Sequence, residues 1–307
     1  MTVTDRDLLS LDDLSHGDLK EILDQADHIK KKPDKYSDHL RGRQVVVILE
    51  KPSLRTRVSF EIAVTAMGGE ASVLAGKEIG LDERESIEDA ARVLSRWADA
   101  IVMRTFGQDR LERLAQAATV PVINALSDFS HPCQGLSDLQ TIRERKGRLE
   151  GVALAYIGDG NNVAHSLMFG GALCGMDVRV ATPPDHGPFP QVIERATNLA
   201  TERGGRVSVT DVVAEAATGA DVLYTDVWTS MGKEDEEGAR REVFERYRID
   251  QGVVDLASDD VIVMHCLPAH RGDEITADVI DGPRSIVWDQ AENRLHAQKA
   301  LLVWLLG

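Results

Sequence analysis

Runs of β-branched and aliphatic residues alternate with longer stretches of helical apolar spacing along most of the chain. The first round has predicted strands at residues 45–49, 71–74, 100–103 and 121–124, and helices at 15–32, 58–67, 86–97, 109–118 and 132–146. The second has strands at 152–157, 178–181, 207–210, 222–225, 261–265 and 286–288, and helices at 162–174, 190–203, 212–217 and 291–306. This alternation predicts parallel sheets covered by helices on both faces.

The two rounds of alternation meet near residues 139–151, where the predicted helix 132–146 ends. A chain of 307 residues is long for one hydrophobic core and sufficient for two. We therefore predict two doubly wound α/β domains, each a parallel sheet with helices on both faces, linked by long helices. Ligands of open α/β sheets bind beyond the carboxyl ends of the strands, so polar residues that follow strands are the functional candidates.

The charge balance excludes several classes of partner. The formal net charge is −16, and lysine is rare beside arginine, which disfavours nucleic acids and anionic membranes. Such a surface is similar to that of proteins from salt-loaded cytoplasms. No apolar run of 18 residues is present, and the polar, acidic start of the chain lacks a signal pattern, so we expect a cytoplasmic location. The spacing of the three cysteines indicates neither a metal pair nor a disulfide framework.

A polar turn follows the first predicted strand, with Ser53, Arg55, Thr56 and Arg57 at the start of a helix. A helix N-terminus offers unpaired N–H groups and a positive dipole end. Arginine adds a planar fork that binds phosphate oxygens in pairs, and hydroxyls occupy remaining lone pairs. A solvated basic turn is the alternative, but this density of residue types favours a phosphate site.

Two further polar groups follow strands of the first round. Arg104 comes directly after residues 100–103, and His131 and Gln134 flank the start of the helix at 132–146. Each has an ordinary explanation by itself, as a charged strand end or a helix cap beside Pro132. Together with Arg55 they predict one convergent polar cluster at the strand ends.

In the second round, Gly158 and Gly160 lie between a strand and a helix, which suggests a dinucleotide-binding loop. That pattern fails at its third glycine, because Val163 occupies the position, and no acidic residue ends the next strand. Asp226 and Cys266 also follow strands. By themselves they are an ordinary turn residue and a buried, inert thiol.

In chain order, these motifs resemble those of the transcarbamylase family, which carbamoylates aspartate, ornithine and related amines. The matching stretches are Glu50-Lys51-Pro52-Ser53-Leu54-Arg55-Thr56-Arg57, His131-Pro132-Cys133-Gln134, Gly158-Asp159-Gly160-Asn161-Asn162, Asp226 with Ser230-Met231-Gly232, His265-Cys266-Leu267-Pro268 and Glu292-Asn293-Arg294. One departure is Glu78, where many relatives have glutamine, so we leave Glu78 out of the predicted site.

The resemblance implies roles for individual residues. Carbamoyl phosphate would be bound by Ser53, Leu54, Arg55, Thr56, Arg104, His131, Gln134, Cys266, Leu267 and Arg294. The acceptor would be bound by Asn162, Asp226, Ser230 and Met231, and the catalytic residues would be Arg104, His131 and Cys266. Attack on the carbamoyl carbon makes an oxyanion, which preorganised donors such as Arg104, His131 and Thr56 would stabilise. No metal and no cofactor are needed.

The resemblance also implies how the chain is organised. The last helix would pack on the first domain, giving a carbamoyl-phosphate domain of residues 1–145 with 290–307 and an acceptor domain of 146–289. Cys266 would mark ornithine as the acceptor, with citrulline and phosphate as products of arginine metabolism. The family forms trimers, so we expect a trimer or a multiple of one. We also expect a cis peptide bond between Leu267 and Pro268.

Two alternatives remain at this point. One is a transcarbamylase for another amine, namely aspartate, putrescine or an acylated ornithine. The other is a non-catalytic anion-binding or dehydrogenase-like protein. Neither composition nor motifs decide between a biosynthetic and an arginine-degrading reaction.

Overall fold

The computed structural model describes residues 7–229 and 237–307. The chain divides into two compact units. One unit comprises the described residues up to Gln140 together with Asn293–Gly307, and the other comprises Thr141–Glu292. The predicted limits were 145/146 and 289/290, and the role predicted for each domain remains a proposal.

The first unit is built around a parallel sheet of four strands. These are β1 (Gln44–Leu49), β2 (Glu70–Ala75), β3 (Ala100–Arg104) and β4 (Val122–Leu126), in the spatial order β2-β1-β3-β4. Val47 pairs in register with Val73 on one side and Val102 on the other. The strand β1 is buried from Val45 to Leu49, as expected for an apolar run at the centre of a parallel sheet.

The helices of this part of the chain are α1 (His16–Lys31), α2 (Leu54–Thr65), α3 (Gly76–Ile79), α4 (Ile87–Leu94), α5 (Gln108–Ala117) and α6 (Pro132–Lys146). The predicted N-terminus of α1 is confirmed, because Ser15 and Asp18 form a capping box. Leu111 and Leu114 of α5 pack with Ile48, Ile101 and Met103 of the sheet in one buried cluster.

The second unit contains a parallel sheet of five strands. These are β5 (Ala153–Ile157), β6 (Asp177–Ala181), β7 (Arg206–Thr210), β8 (Val222–Thr225) and β9 (Ile262–His265), in the order β7-β6-β5-β8-β9. The order reverses between β5 and β8, since β6 and β7 lie on one side of β5 and β8 and β9 on the other. Such a switch point forms a crevice at the carboxyl ends of the strands.

The remaining helices are α7 (Asn162–Leu173), α8 (Pro190–Arg203), α9 (Val213–Ala217), α10 (Glu237–Phe244), α11 (Gln251–Val254), α12 (Ala277–Ile280) and α13 (Val287–Leu306). Every residue of α7 from Val163 to Leu173 is buried, which explains why that helix is apolar on all sides. The predicted fold class, two parallel sheets with helices on both faces, is confirmed. Within the described ranges, no helix is both long enough and apolar enough to cross a membrane.

Three local predictions were wrong. Residues 286–288 do not form a strand, because α13 begins at Val287 and only the neighbouring Ser285 makes an isolated bridge, to Val263. Three apolar residues are too few to separate a strand from the first turn of a helix. The charged segment 75–85 was expected to be a loop, but it holds the end of β2 and the short helix α3. The helices α10 to α12 were not predicted.

Candidate functional site

The turn after β1 is a capped helix start. Ser53 is the N-cap of α2, where its Oγ accepts a hydrogen bond from the backbone N–H of Thr56 at 3.2 Å and lies 3.0 Å from Thr56 Oγ1. Thr56 is 1% exposed. The cap holds both hydroxyls at the positive end of the helix dipole, which is the geometry of an anion site.

The other residues of this turn differ in their surroundings. The side chain of Leu54 is 77% exposed, so a contact of Leu54 with an anion would come through its backbone N–H. Arg57 points toward solvent beside Glu61, with 3.9 Å between Nε and the carboxylate. Arg55 is half-buried, and its charge acts on His131. The turn therefore directs Arg55, and not Arg57, toward the predicted cluster.

His131, Gln134 and Arg294 converge beyond the strand ends of the first unit. His131 is the residue before Pro132, and its carbonyl accepts from Gln134 N at 3.0 Å in the first turn of α6. Arg294 Nη1 donates to Gln134 Oε1 at 2.9 Å, and Gln134 Nε2 donates to Asp138 Oδ1 at 2.8 Å. This orients the Gln134 amide and joins two residues far apart in the sequence.

Arg104 belongs to the same group. It is the last residue of β3 and is buried, as are His131, Gln134 and Arg294. Burial lowers the pKa of His131 well below its usual value, and the positive charges of Arg294, Arg104 and Arg55 lower it further. The imidazole is therefore neutral near pH 7 and can donate one hydrogen bond, amid three guanidiniums that favour an anionic ligand.

The lowered pKa of His131 predicts a pH dependence of stability. In the unfolded chain this histidine titrates near its reference pKa of about 6.5, so below that pH the unfolded state binds a proton that the folded state does not. As the pH is lowered below about 6.5, the free energy of unfolding should therefore decrease. His131 contributes up to about 1.4 kcal/mol of this decrease per pH unit.

Chemical denaturation of the wild type and of His131→Gln at pH 7 and pH 5.5 measures this contribution. The variant should have a smaller loss of stability between the two pH values. His39→Gln, which removes an exposed histidine, is the control and should keep the full loss. Equal losses in the wild type and in His131→Gln would contradict the prediction.

In the second unit, polar side chains meet beyond β5, β8 and β9. Asn161 Nδ2 donates to Asp226 Oδ2 at 2.9 Å, and the thiol of Cys266 donates to Asp226 Oδ1 at 2.8 Å. Asn161 is also the N-cap of α7, with its Oδ1 accepting from Val163 N at 2.9 Å. Asp226 is thus held by both neighbours, and its carboxylate can bind a cation such as a substrate ammonium.

The segment after β9 is ordered by buried hydrogen bonds. His265 Nδ1 accepts from the backbone N–H of Leu267 at 2.8 Å, so its Nε2 carries the proton and donates to Glu274 Oε1 at 3.0 Å. Glu274 also accepts from His270 N at 2.6 Å. Leu267 has a φ of 58°, and the predicted cis bond between Leu267 and Pro268 is confirmed.

The remaining predicted acceptor residues are less constrained by the structure. Asn162 is the first residue of α7, and its carbonyl accepts from Ser166 Oγ at 2.9 Å. Ser230 and Met231 lie outside the described residues. Their assignment to the acceptor site stays a prediction.

Two residues near this site were missed from the sequence. Asn161, and not only Asn162, contacts Asp226; its signal was an asparagine directly before a helix, which is an N-cap pattern. Arg240 is buried, lies 2.6 Å from Asp159 Oδ2 through Nη2, and donates from Nε to the carbonyl of Trp228 at 2.6 Å. No local pattern indicates that contact, because 81 positions separate Arg240 from Asp159 in the chain.

Asp226, His265 and Cys266 could in principle bind a metal ion, since their ligand atoms lie within 4.8 Å of one another. The same atoms already take part in the internal hydrogen bonds just described. A metal would have to replace the Cys266–Asp226 contact and the Leu267–His265 contact. The sequence-based expectation of a metal-independent reaction is kept as a prediction.

The chain resembles known proteins along almost its whole length. Residues 6–144 match the family model "Aspartate/ornithine carbamoyltransferase, carbamoyl-P binding domain", and residues 150–305 match "Aspartate/ornithine carbamoyltransferase, Asp/Orn binding domain". An ornithine carbamoyltransferase of Parafrankia sp. is 57% identical over 99% of this chain and 97% of its own length. A protein of Pyrococcus furiosus named "Ornithine carbamoyltransferase, anabolic" is 50% identical over 100% of this chain and 98% of its own.

Solved structures give the same picture. The ornithine carbamoyltransferase structure from Pyrococcus furiosus has a TM-score of 0.96 at 49% identity and covers 100% of this chain and 99% of that one. An N-acetyl-L-ornithine transcarbamylase variant has a TM-score of 0.88 at 31% identity, with coverage of 98% and 99%. Members that accept different amines therefore share this fold.

Proposed function

The chain belongs to the aspartate/ornithine carbamoyltransferase family, and from that premise we propose that it transfers the carbamoyl group of carbamoyl phosphate to the side-chain amine of L-ornithine. The products are L-citrulline and phosphate. The observation that carries the proposal is the cluster of Arg55, Arg104 and Arg294 around a buried, neutral His131. This cluster fits a small phosphorylated ligand with an uncharged carbonyl group.

The proposed binding of carbamoyl phosphate assigns each group a task. The Ser53–Thr56 turn and Arg55 bind the phosphate, where the dipole of α2 and the guanidinium both favour negative charge. His131 and Arg104 donate to the carbonyl oxygen, and the oriented Gln134 amide lies beside them. When the amine attacks, that oxygen becomes an oxyanion, and donors already in place stabilise it. The same arginines stabilise the leaving phosphate.

The proposed choice of ornithine rests on Asp226 and Cys266. A carboxylate held by Asn161 and Cys266 suits the α-ammonium of an amino acid and disfavours the second carboxylate of aspartate. Attack requires the neutral form of the side-chain amine, since an ammonium has no lone pair. Leu267, whose backbone conformation is fixed through His265, would present its carbonyl to the carbamoyl amine.

An acceptor screen tests the function. The purified protein is supplied with carbamoyl phosphate and either ornithine, N-acetylornithine, putrescine or aspartate, and the ureido product and phosphate are both measured. We expect product with ornithine only, in the presence and absence of a chelator. Preference for another amine would reassign the substrate, and no product with any acceptor would overturn the proposed activity.

A trimer is part of the proposal. Leu54, Val58 and Ile62 recur at four-residue spacing on α2, and they are 77%, 40% and 45% exposed. Residues at this spacing lie on one face of a helix, so the three form an apolar stripe that the single chain leaves uncovered. A second copy of the chain is the proposed occupant. Sedimentation equilibrium should give three 33.7-kDa chains or a multiple of three.

We also propose a biosynthetic reaction in a cytoplasmic setting. The name of the Pyrococcus furiosus relative includes "anabolic", which supports the biosynthetic direction. Cys133, Cys174 and Cys266 all lie in the described part of the chain and form no disulfide, as is usual in a reducing compartment. Measuring citrulline formation and citrulline phosphorolysis side by side tests the direction.

Activity and stability should rise with salt concentration. The net charge is −16, so the excess negative charges of the chain repel one another. Salt weakens this repulsion, because the Debye length is only about 10 Å at 0.1 M. We expect the melting temperature and kcat to increase between dilute buffer and molar KCl. Equal values in both conditions would contradict adaptation to high salt.

A further inference from the structure

Glu50 places a carboxylate close to the proposed phosphate site. It follows β1 directly and precedes Ser53 by three residues, so its Cα lies within about 11 Å of the Ser53 Cα. Its side chain is only 12% exposed. A poorly solvated negative charge at this range opposes the binding of a phosphate dianion unless a cation compensates it.

Arg110 of α5 supplies that cation. Its Nη2 lies 2.6 Å from Glu50 Oε1 and its Nε lies 3.1 Å from Glu50 Oε2, which is a paired, fork-like contact. The Thr105 hydroxyl also donates to Glu50 Oε2. The carboxylate is thereby directed toward α5.

The backbone of Glu50 is fixed as well. Its N–H donates to the carbonyl of Arg104 at 2.9 Å. A Cβ added to Gly76 would lie 2.7 Å from the Glu50 Cα, so the backbones of Gly76 and Glu50 pack closely against each other. With the backbone fixed, the orientation of the carboxylate depends on its side-chain partners, Arg110 and Thr105.

Arg113, a neighbouring arginine, makes it possible to distinguish the loss of the Glu50 contact from the general loss of a positive charge. Arg110 Nη1 also donates to the Asp82 carboxylate at 2.8 Å. Asp82 has a second partner, because Arg113 donates to it from Nη1 and from Nη2, each at 2.9 Å. Arg113 contacts Glu88 too, and among the contacts of the described residues it has none with Glu50. Loss of Arg110 therefore leaves Asp82 paired with Arg113 and takes from Glu50 the paired guanidinium contact of Arg110.

We propose that Arg110 is a positioning residue for carbamoyl phosphate, which compensates the charge of Glu50 and holds its carboxylate away from the Ser53–Thr56 turn. The inference rests on the proposed function, because it concerns the affinity of the same phosphate site. Arg110 itself makes no contact with substrate in this account. Its influence should appear in binding of the phosphate group and in the KM for carbamoyl phosphate, with kcat little changed.

Calorimetric titration with inorganic phosphate tests the inference in Arg110→Gln, Glu50→Gln and the double variant. We expect Arg110→Gln to weaken phosphate binding about tenfold, a change of about 1.4 kcal/mol. The double variant should return to within about threefold of the wild type, because the uncompensated carboxylate is gone. Arg113→Gln makes the same charge change on the same helix and should bind phosphate almost normally. Arg110→Lys should lie between the wild type and Arg110→Gln.

Two results would overturn the inference: equal losses in Arg110→Gln and Arg113→Gln, or no recovery in the double variant. Melting curves of every variant show whether it is folded, and if Arg110→Gln is not, a normal phosphate affinity in Arg110→Lys together with no gain of affinity in Glu50→Gln decides against a positioning role. The failure of the proposed function looks different. In that case the wild type itself would bind no phosphate and form no citrulline, whereas a wrong inference leaves both intact.

Discussion

Replacing Arg55 by alanine should raise the KM for carbamoyl phosphate by a factor on the order of a hundred or more. Arg55 lies in the first turn of α2, beside the Ser53 cap, and its charge acts on the buried His131. A charged hydrogen bond contributes roughly 1.5–3 kcal/mol, and a guanidinium on a phosphate makes two. The variant should therefore fail to saturate at practical concentrations of carbamoyl phosphate, while the α2 helix and the fold remain.

Arg57→Ala is the matched control for this experiment. It removes the same charge from the same helix two residues later, but its side chain is directed to solvent beside Glu61. Initial rates at fixed ornithine and varied carbamoyl phosphate should give a nearly normal KM for Arg57→Ala. Normal saturation in Arg55→Ala, or equal effects of the two variants, would refute the assignment of the phosphate site.

Replacing Asp226 by asparagine should raise the KM for ornithine by a similarly large factor. The variant keeps the shape of the side chain but removes the charge proposed to bind the α-ammonium. Removing one partner of a buried ion pair costs about 3–5 kcal/mol, because the other charge is left uncompensated. Asp226 is 8% exposed and held by Asn161 and Cys266, so its oxygens cannot be replaced easily by water. The KM for carbamoyl phosphate should change little.

Asp278→Asn provides the control, since it removes an exposed carboxylate from the same unit at the start of α12. Cys266→Ser should weaken ornithine use more modestly, because a hydroxyl can still donate to Asp226. In the wild type, the rate should rise with pH above neutrality, as an unperturbed amine of this kind has a pKa of about 10.4. If Asp226→Asn lost affinity for carbamoyl phosphate and kept its KM for ornithine, the assignment of the two substrates would be wrong.

Local patterns predicted the features that are locally determined. The apolar runs at residues 45–49 and 152–157 became β1 and β5, because a strand buried on both faces is apolar throughout. The start of α1 followed from Ser15, whose side chain satisfies a nearby N–H group. The cluster of polar residues at the strand ends then followed from the rule that parallel strands end on one edge.

Contacts between distant residues were not predictable in this way. Gln134 and Arg294 are 160 positions apart, and only the resemblance to a family suggested that both bind one ligand. The contacts of Arg240 with Asp159 and of Arg110 with Glu50 had no sequence signal, since an arginine on a helix is ordinarily solvated. The short run at 286–288 failed for another reason, because Ile286 and Val287 have strand propensity but lie where α13 begins.

The return of the chain to its first unit also affects how the protein is made. Synthesis runs from the N-terminus, so Thr141–Glu292 leaves the ribosome before Asn293–Gly307 does. Until then the first unit lacks Arg294, the 2.7 Å contact of Asn293 with Lys30, and the carbonyl of Leu306 that Arg43 donates to. The second unit can thus leave the ribosome first, whereas the proposed phosphate site is complete only after Asn293–Gly307 has followed. A chain terminated before Asn293 would retain Asp226 and Cys266 and still lack Arg294 of the proposed phosphate site.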